Sequence, residues 1–147
     1  MKISEILTFF DKQAAIMLGT LNEVGAPEIR ALINIRNKDV APHLTDFFKR
    51  NERLLLITNT HSDKIGQIRA NSSAALYAFD QQFNGLLLTG KVLEIADNAV
   101  KDALWDDSWK MYYPAGKDGG DFSVLEFIPS EYKSYVDFNV NKGQVRE

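Results

Sequence analysis

The chain has 147 residues, a formal net charge of -3, 45% hydrophobic and 25% charged residues, and no cysteine. That length supports one domain over residues 1–147 with a substantial core. The mixed charge excludes the basic stripe of a nucleic-acid binder, and the missing thiols exclude disulfide frameworks, thiolate nucleophiles and cysteine-ligated metals.

Residues 3–13 read as a helix, with Ser4 as a cap and Ile6, Leu7, Phe9 and Phe10 on one broad face. Glu5, Asp11 and Lys12 interrupt what a signal peptide would keep apolar, and no apolar run reaches membrane-spanning length. The expectation is a cytoplasmic protein with no membrane partner.

The run AAIMLGTL (14–21) has the length of a strand, and NEVGAP carries the Asn, Gly and Pro of a hairpin connection. In EIRALINIRN (28–37), Ile29, Ala31, Ile33 and Ile35 alternate with Glu28, Arg30, Leu32, Asn34 and Arg36, which predicts a strand with one apolar face. Residues 38–51 form a connector with a helical turn after Pro42, and RLLLITN (53–59) is the most apolar strand. SDKIGQIRAN (62–71) predicts a short helix burying Ile65 and Ile68.

Strands follow at 73–80 and 85–95, then a helix capped by Asp97 and a Gly/Pro-rich loop at 112–121. FSVLEFIP (122–129) and EYKSYVDF (131–138) predict two final strands, with residues 139–147 as a polar, flexible tail. Six or seven hairpin-linked strands with three or four short helices make a mainly β, α+β chain, whose antiparallel sheet curls into a barrel or sandwich.

GLLLTGK (85–91) has P-loop spacing, but Val92 stands where Ser or Thr would hold magnesium, and both glycines lie inside one predicted strand. His43 and His61 stand alone, without the spacing of a metal set. Trp109, Tyr112 and Tyr113 sit in or beside the Gly/Pro loop, where aromatics either cover a flat ligand or anchor the loop on the barrel.

The richest stretch is LLLITNTHSDK (54–64), where a core strand runs into Thr58, Asn59, Thr60, Ser62 and Lys64. If the strand continues through Thr60, the two threonines share a face. Hydroxyls, helix-terminal N–H groups and an ammonium together suit a phosphate dianion. A capped helix with a solvated lysine accounts for Ser62 and Lys64 alone.

The order and spacing of these motifs resemble the FMN-binding split-barrel proteins related to pyridoxamine 5′-phosphate oxidase, in particular their general stress protein branch. The resemblance runs from the N-terminal helix through TNTHSDKIGQIRAN and LLLTGKVLEI to the closing SVLEFIPSEY. It implies an antiparallel split β-barrel that binds FMN through Arg30 and the backbone of Ala31, Leu32 and Ile33 on the second strand. It also implies that Thr58, Asn59, Ser62 and Lys64 hold the flavin phosphate. A homodimer with flavin between protomers follows, with Trp109 and its neighbours as the wall from the second chain. The implied activity is that of an FMN-dependent oxidoreductase using NAD(P)H or a small-molecule electron donor. A flavin-binding stress module without turnover, or a haem or deazaflavin binder on the same fold, are the alternatives.

The chain departs from true pyridoxamine phosphate oxidases at several points. Asp63 replaces a cation of their Ser-Arg-Lys turn, leaving Arg30 or Arg36 to offset it. Ile35 stands in place of a lysine, Gly85 in place of a glutamine, and the C-terminal Trp and Arg motif is missing. Vitamin B6 oxidase activity is therefore not carried over.

Overall fold

The computed structural model describes residues 1–147. Seven strands form one antiparallel sheet: β1 (Ala15–Leu21), β2 (Pro27–Ile33), β3 (Leu54–Asn59), β4 (Ser73–Phe79), β5 (Gly85–Ile95), β6 (Phe122–Val136) and β7 (Asn139–Gln144). Four short helices accompany them: α1 (Ile3–Asp11), α2 (Thr45–Arg50), α3 (Asp63–Ala70) and α4 (Asn98–Leu104). The order β2-β1-β4-β5-β6-β3 curls into a barrel that does not close, because edge strands β2 and β3 approach without pairing; β7 adds to β6. No helix is long and apolar enough to cross a membrane.

The apolar run of β3 is explained by burial on both faces. Leu54 and Leu56 enter one core with Ile16, Leu18, Leu76, Leu88 and helices α1 and α3, whereas Leu55 and Ile57 enter a second with Phe122, Trp109 and Leu104. Each such aliphatic side chain contributes about 1.5–3 kcal/mol by leaving water. β3 is therefore a rigid base for whatever its end presents.

Several expectations are corrected. The predicted strand 28–37 ends at Ile33, where the Asn34 amide turns the chain by donating to the carbonyls of Phe10 and Gln13. Within β2, Ile29 is 72% and Ile33 40% exposed while Arg30 and Leu32 point inward; Ile35, beyond the strand, is buried in the second core. The predicted strands 122–129 and 131–138 are one strand, with Pro129 accommodated at a bulge where the β5 register shifts between Thr89 and Gly90. Gly90 is required there, since a Cβ would overlap the Ile128 carbonyl.

The tail does not fray along its predicted length. Asn139–Gln144 pairs with β6, and beyond it the Arg146 carbonyl accepts from Ile3 N–H at 2.7 Å. That contact starts α1 ahead of Ser4, with Lys2 at the cap and the Glu5 carboxylate accepting from Lys2 N–H. Asp97 caps α4 by accepting from Ala99 N–H at 2.9 Å.

Candidate functional site

Residues from both sides of the open seam meet at one end of the barrel. From β3, the Thr58 hydroxyl is buried on the same face as Leu54 and Leu56. Lys64, in the first turn of α3, donates to Thr58 Oγ1 at 2.6 Å and to Ser62 Oγ at 3.1 Å. Ser62 is the N-cap residue, but its hydroxyl donates to the Asn59 carbonyl instead of capping the helix. The α3 N-terminus therefore lacks a side-chain acceptor.

Across the seam, Arg30 of β2 donates from Nη1 to Thr20 Oγ1 at 2.6 Å and to the Leu18 carbonyl at 3.3 Å. Its Nη2 donates to Gln67 Oε1 at 3.3 Å. Burial lowers the Lys64 pKa, and the neighbouring Arg30 cation lowers it further, while Asp63 opposes the shift. Lys64 makes no salt bridge and is surrounded by hydroxyl oxygens. Two cations, several hydroxyls and a helix N-terminus form a set of donors suited to a compact oxyanion.

The other predicted residues take different places. β3 ends at Asn59, so Thr60 lies in the turn; its hydroxyl still reaches inward, 2.6 Å from Ser123 Oγ. Asn59 shapes that turn, its side-chain oxygen accepting from His61 N–H. Ala31 and Ile33 point outward and Leu32 inward, on an edge strand with backbone groups left for other partners. Trp109 does not join the cluster. It is 5% exposed, packed in the second core with His43, Trp105 and Phe122.

Arg36 is likewise withdrawn. It forks onto Asp11 at 2.6 and 3.2 Å, donates to the carbonyls of Asn51 and Arg53, and lies over the Phe48 ring. Of the two candidates to offset Asp63, only Arg30 stands at the seam. Asp63 itself is exposed, on the side of α3 facing Glu23 and Glu28.

Sequence reading missed Thr20, Gln67 and Ser123. Thr20 and Ser123 are single polar residues on buried strand positions, and Gln67 is a half-buried amide on α3, signals visible only once the strand and helix faces are known. His43 Nε2 lies 3.0 Å from the Leu104 carbonyl, and exposed His61 lies 3.5 Å from the Asp121 carboxylate. At Gly85, an added Cβ would fall within the Tyr77 side chain, which covers that position.

Comparison with known structures matches the whole architecture. A protein related to general stress protein 26 of Bacillus subtilis, from Clostridium acetobutylicum, is 26% identical, with a TM-score of 0.76 over 97% of this chain and 93% of that one. General stress protein 26 from Bacillus anthracis gives 15% identity and a TM-score of 0.68, covering 96% and 98% of the two chains. A heme-binding protein from Mycobacterium smegmatis gives 13% and 0.68, covering 98% of this chain and 60% of that one. No curated protein matches. The family model described as Pyridoxamine 5'-phosphate oxidase matches residues 3–135. With nearly the whole chain covered and the split barrel in place, this protein belongs to the pyridoxamine 5'-phosphate oxidase family.

Proposed function

We propose that this chain is an FMN-binding oxidoreductase that acts as a homodimer, with flavin held in clefts between protomers. The observation that carries the reading is Lys64, a half-buried ammonium bound to hydroxyls and balanced by no salt bridge. A phosphate would supply the missing negative charge and accept from Lys64, Arg30, Thr58, Ser62 and the open end of α3. Thr60 and Asn59 shape the rim, and the edge-strand backbone of Ala31, Leu32 and Ile33 contacts the ring system. Trp109, buried in its own protomer, is left out of this set.

The dimer is supported by the outward face of the sheet. Cross-strand rows place Ile29 beside Gly19 and Ala75, Ala31 beside Met17, Tyr77 and Leu87, and Phe79 beside Gly85 and Tyr135. An open sheet facing water alternates apolar-in and polar-out. Here β2 and β1, with most of β4 and the start of β5, are apolar outward, which suits a self-complementary two-fold interface.

Bound flavin supplies the redox chemistry, while the protein fixes its phosphate, orients the ring and limits water. The Tyr77 side chain over Gly85, where the resemblance places a glutamine in true pyridoxamine phosphate oxidases, argues for a substrate other than pyridoxamine phosphate. The visible spectrum of purified protein and titration of the apoprotein with FMN test the reading. A flavin spectrum and micromolar binding are expected; colourless protein without binding overturns it. A haem spectrum would assign the seam to the other ligand. NADH- or NADPH-dependent reduction of bound FMN separates an enzyme from a storage or sensing module.

A further inference from the structure

Gln67 lies one turn after Lys64 on α3 and reaches the opposite side of the seam. Its Oε1 accepts from Arg30 Nη2 at 3.3 Å and from the Thr20 hydroxyl at 2.5 Å. Its Nε2 donates to Glu28 Oε1 at 3.0 Å, and Asn22 Nδ2 donates to the other Glu28 oxygen at 3.0 Å. A carboxylate only accepts, so the amino end of the amide must face Glu28 and the carbonyl end must face Arg30 and Thr20. Those two hydrogen bonds pull the Glu28 pKa down, Gln67 contributing most.

From this geometry we infer that Gln67 is the positioning residue that aims Arg30 at an anionic group in the seam, and so sets the preference for a phosphorylated ligand. The inference rests on reading the seam as a phosphate site. Arg30 is a long side chain that would otherwise sample many rotamers. Thr20, the Leu18 carbonyl and Gln67 take three of its five N–H donors, leaving Nε–H and one Nη2 hydrogen for a ligand. The amide performs this without charge. Glu28, the nearest carboxylate to Arg30, stands 3.9 Å away, so the guanidinium is oriented but still available to a stronger anion.

The test has two arms. In unliganded protein, guanidinium proton–nitrogen NMR, assigned with Arg30→Lys, reports whether Arg30 is held. Gln67→Leu should give the Arg30 signals the averaged shifts of a mobile side chain. In titrations, Gln67→Leu should weaken FMN by about tenfold while riboflavin changes by less than about twofold. Gln67→Glu should weaken FMN further, because its carboxylate competes for Arg30. Unchanged Arg30 signals in Gln67→Leu, or equal losses of FMN and riboflavin, would overturn the inference. Wild-type protein that fails to bind FMN would sink the flavin reading, while the NMR arm still decides whether Gln67 positions Arg30. Gln67→Asn, shorter but still an amide, replaces Gln67→Leu should the latter fail to fold, with the same mobile Arg30 expected.

Discussion

Lys64 Nζ donates to the buried Thr58 hydroxyl at 2.6 Å, tying the first turn of α3 to the end of the doubly buried strand β3. An ammonium on such a rigid base loses little further freedom when an anion arrives, so most of the interaction appears as affinity. Hydrogen bonds to charged groups contribute about 1.5–3 kcal/mol, which converts to roughly 10- to 150-fold. Lys64→Ala should weaken FMN by that factor and leave riboflavin nearly unchanged. Thr58→Val, close in shape but without a hydroxyl, should act in the same direction. Fluorescence titration with both ligands is the measurement, and equal losses would separate Lys64 from the phosphate.

The same lysine predicts a pH signature. Burial and Arg30 lower its pKa below the ordinary 10.5. Between the folded value and 10.5, the unfolded chain therefore binds more protons than the native one, so the Lys64 contribution to unliganded stability rises with pH. Phosphate binding runs the other way, because only the protonated ammonium attracts it. FMN affinity should fall as pH rises through the lowered pKa, riboflavin affinity should stay flat, and Lys64→Met should remove the difference. Parallel titrations from neutral to alkaline pH measure both.

The local half of this site is readable along the chain. LLLITN followed by Ser62 and Lys64 places hydroxyls and a cation at the end of a strand because six residues of sequence fix their spacing. The other half is not. Arg30 enters through the family resemblance alone, Thr20 and Gln67 not at all, and the contacts among the three, from β1, β2 and α3, depend on which face of β2 turns inward. Alternation in 28–37 shows two faces, but assigning the apolar one to the protomer core inverts the strand, because Ile29 and Ile33 remain on the surface. The tail misleads for a related reason. NVNKGQ is polar because both its faces are exposed, and its order comes from the β6 backbone ladder, which side-chain hydropathy does not report.

Arg36 makes a contrasting case: a cation near the sequence motifs that serves the fold. Its side chain is 4% exposed, and it joins α1, the segment after β2 and the chain entering β3 through Asp11 and two carbonyls. Arg36→Ala should cost about 3 kcal/mol, through lost charged hydrogen bonds and lost packing on Phe48. Asp11→Ala should cost less, because water reaches that carboxylate. Urea denaturation gives both values. The FMN-to-riboflavin affinity ratio should stay at wild type; a shift in that ratio would return Arg36 to the ligand.

The exposed apolar face of β2 predicts a dimer that charge disrupts. Ile29 is 72% and Ile33 40% exposed, two residues either side of Ala31 on the outward face. Ile29→Glu with Ile33→Glu would place two carboxylates at the centre of a two-fold patch, where each meets like charge from the partner. Sedimentation should show a wild-type dimer and a folded monomeric variant. FMN affinity should fall with dimer dissociation if flavin sits between protomers as proposed. A monomeric wild type would remove the proposed interface.

At Gly85, where the family resemblance implies a glutamine, the obstacle to a side chain is Tyr77. The Tyr77 ring lies over Gly85 from the paired position next along the sheet and stacks toward Phe79, with centroids 6.1 Å apart. Tyr77 is half-buried on the outward face, and its ring end must shift to admit a Cβ, so Gly85→Ala should destabilise by about 1 kcal/mol, the low end of overpacking costs. In a Tyr77→Ala background the obstruction is gone, and the same substitution should cost close to nothing or stabilise the strand, because glycine is the weaker strand former. The two changes should therefore couple strongly in a double-mutant cycle read by urea denaturation, since they share one volume. Additive costs would show that Tyr77 does not occupy the Gly85 position. Gly85→Gln should likewise be tolerated only with Tyr77→Ala, because the tyrosine ring, and not the glycine alone, fills the space a side chain at this position would need.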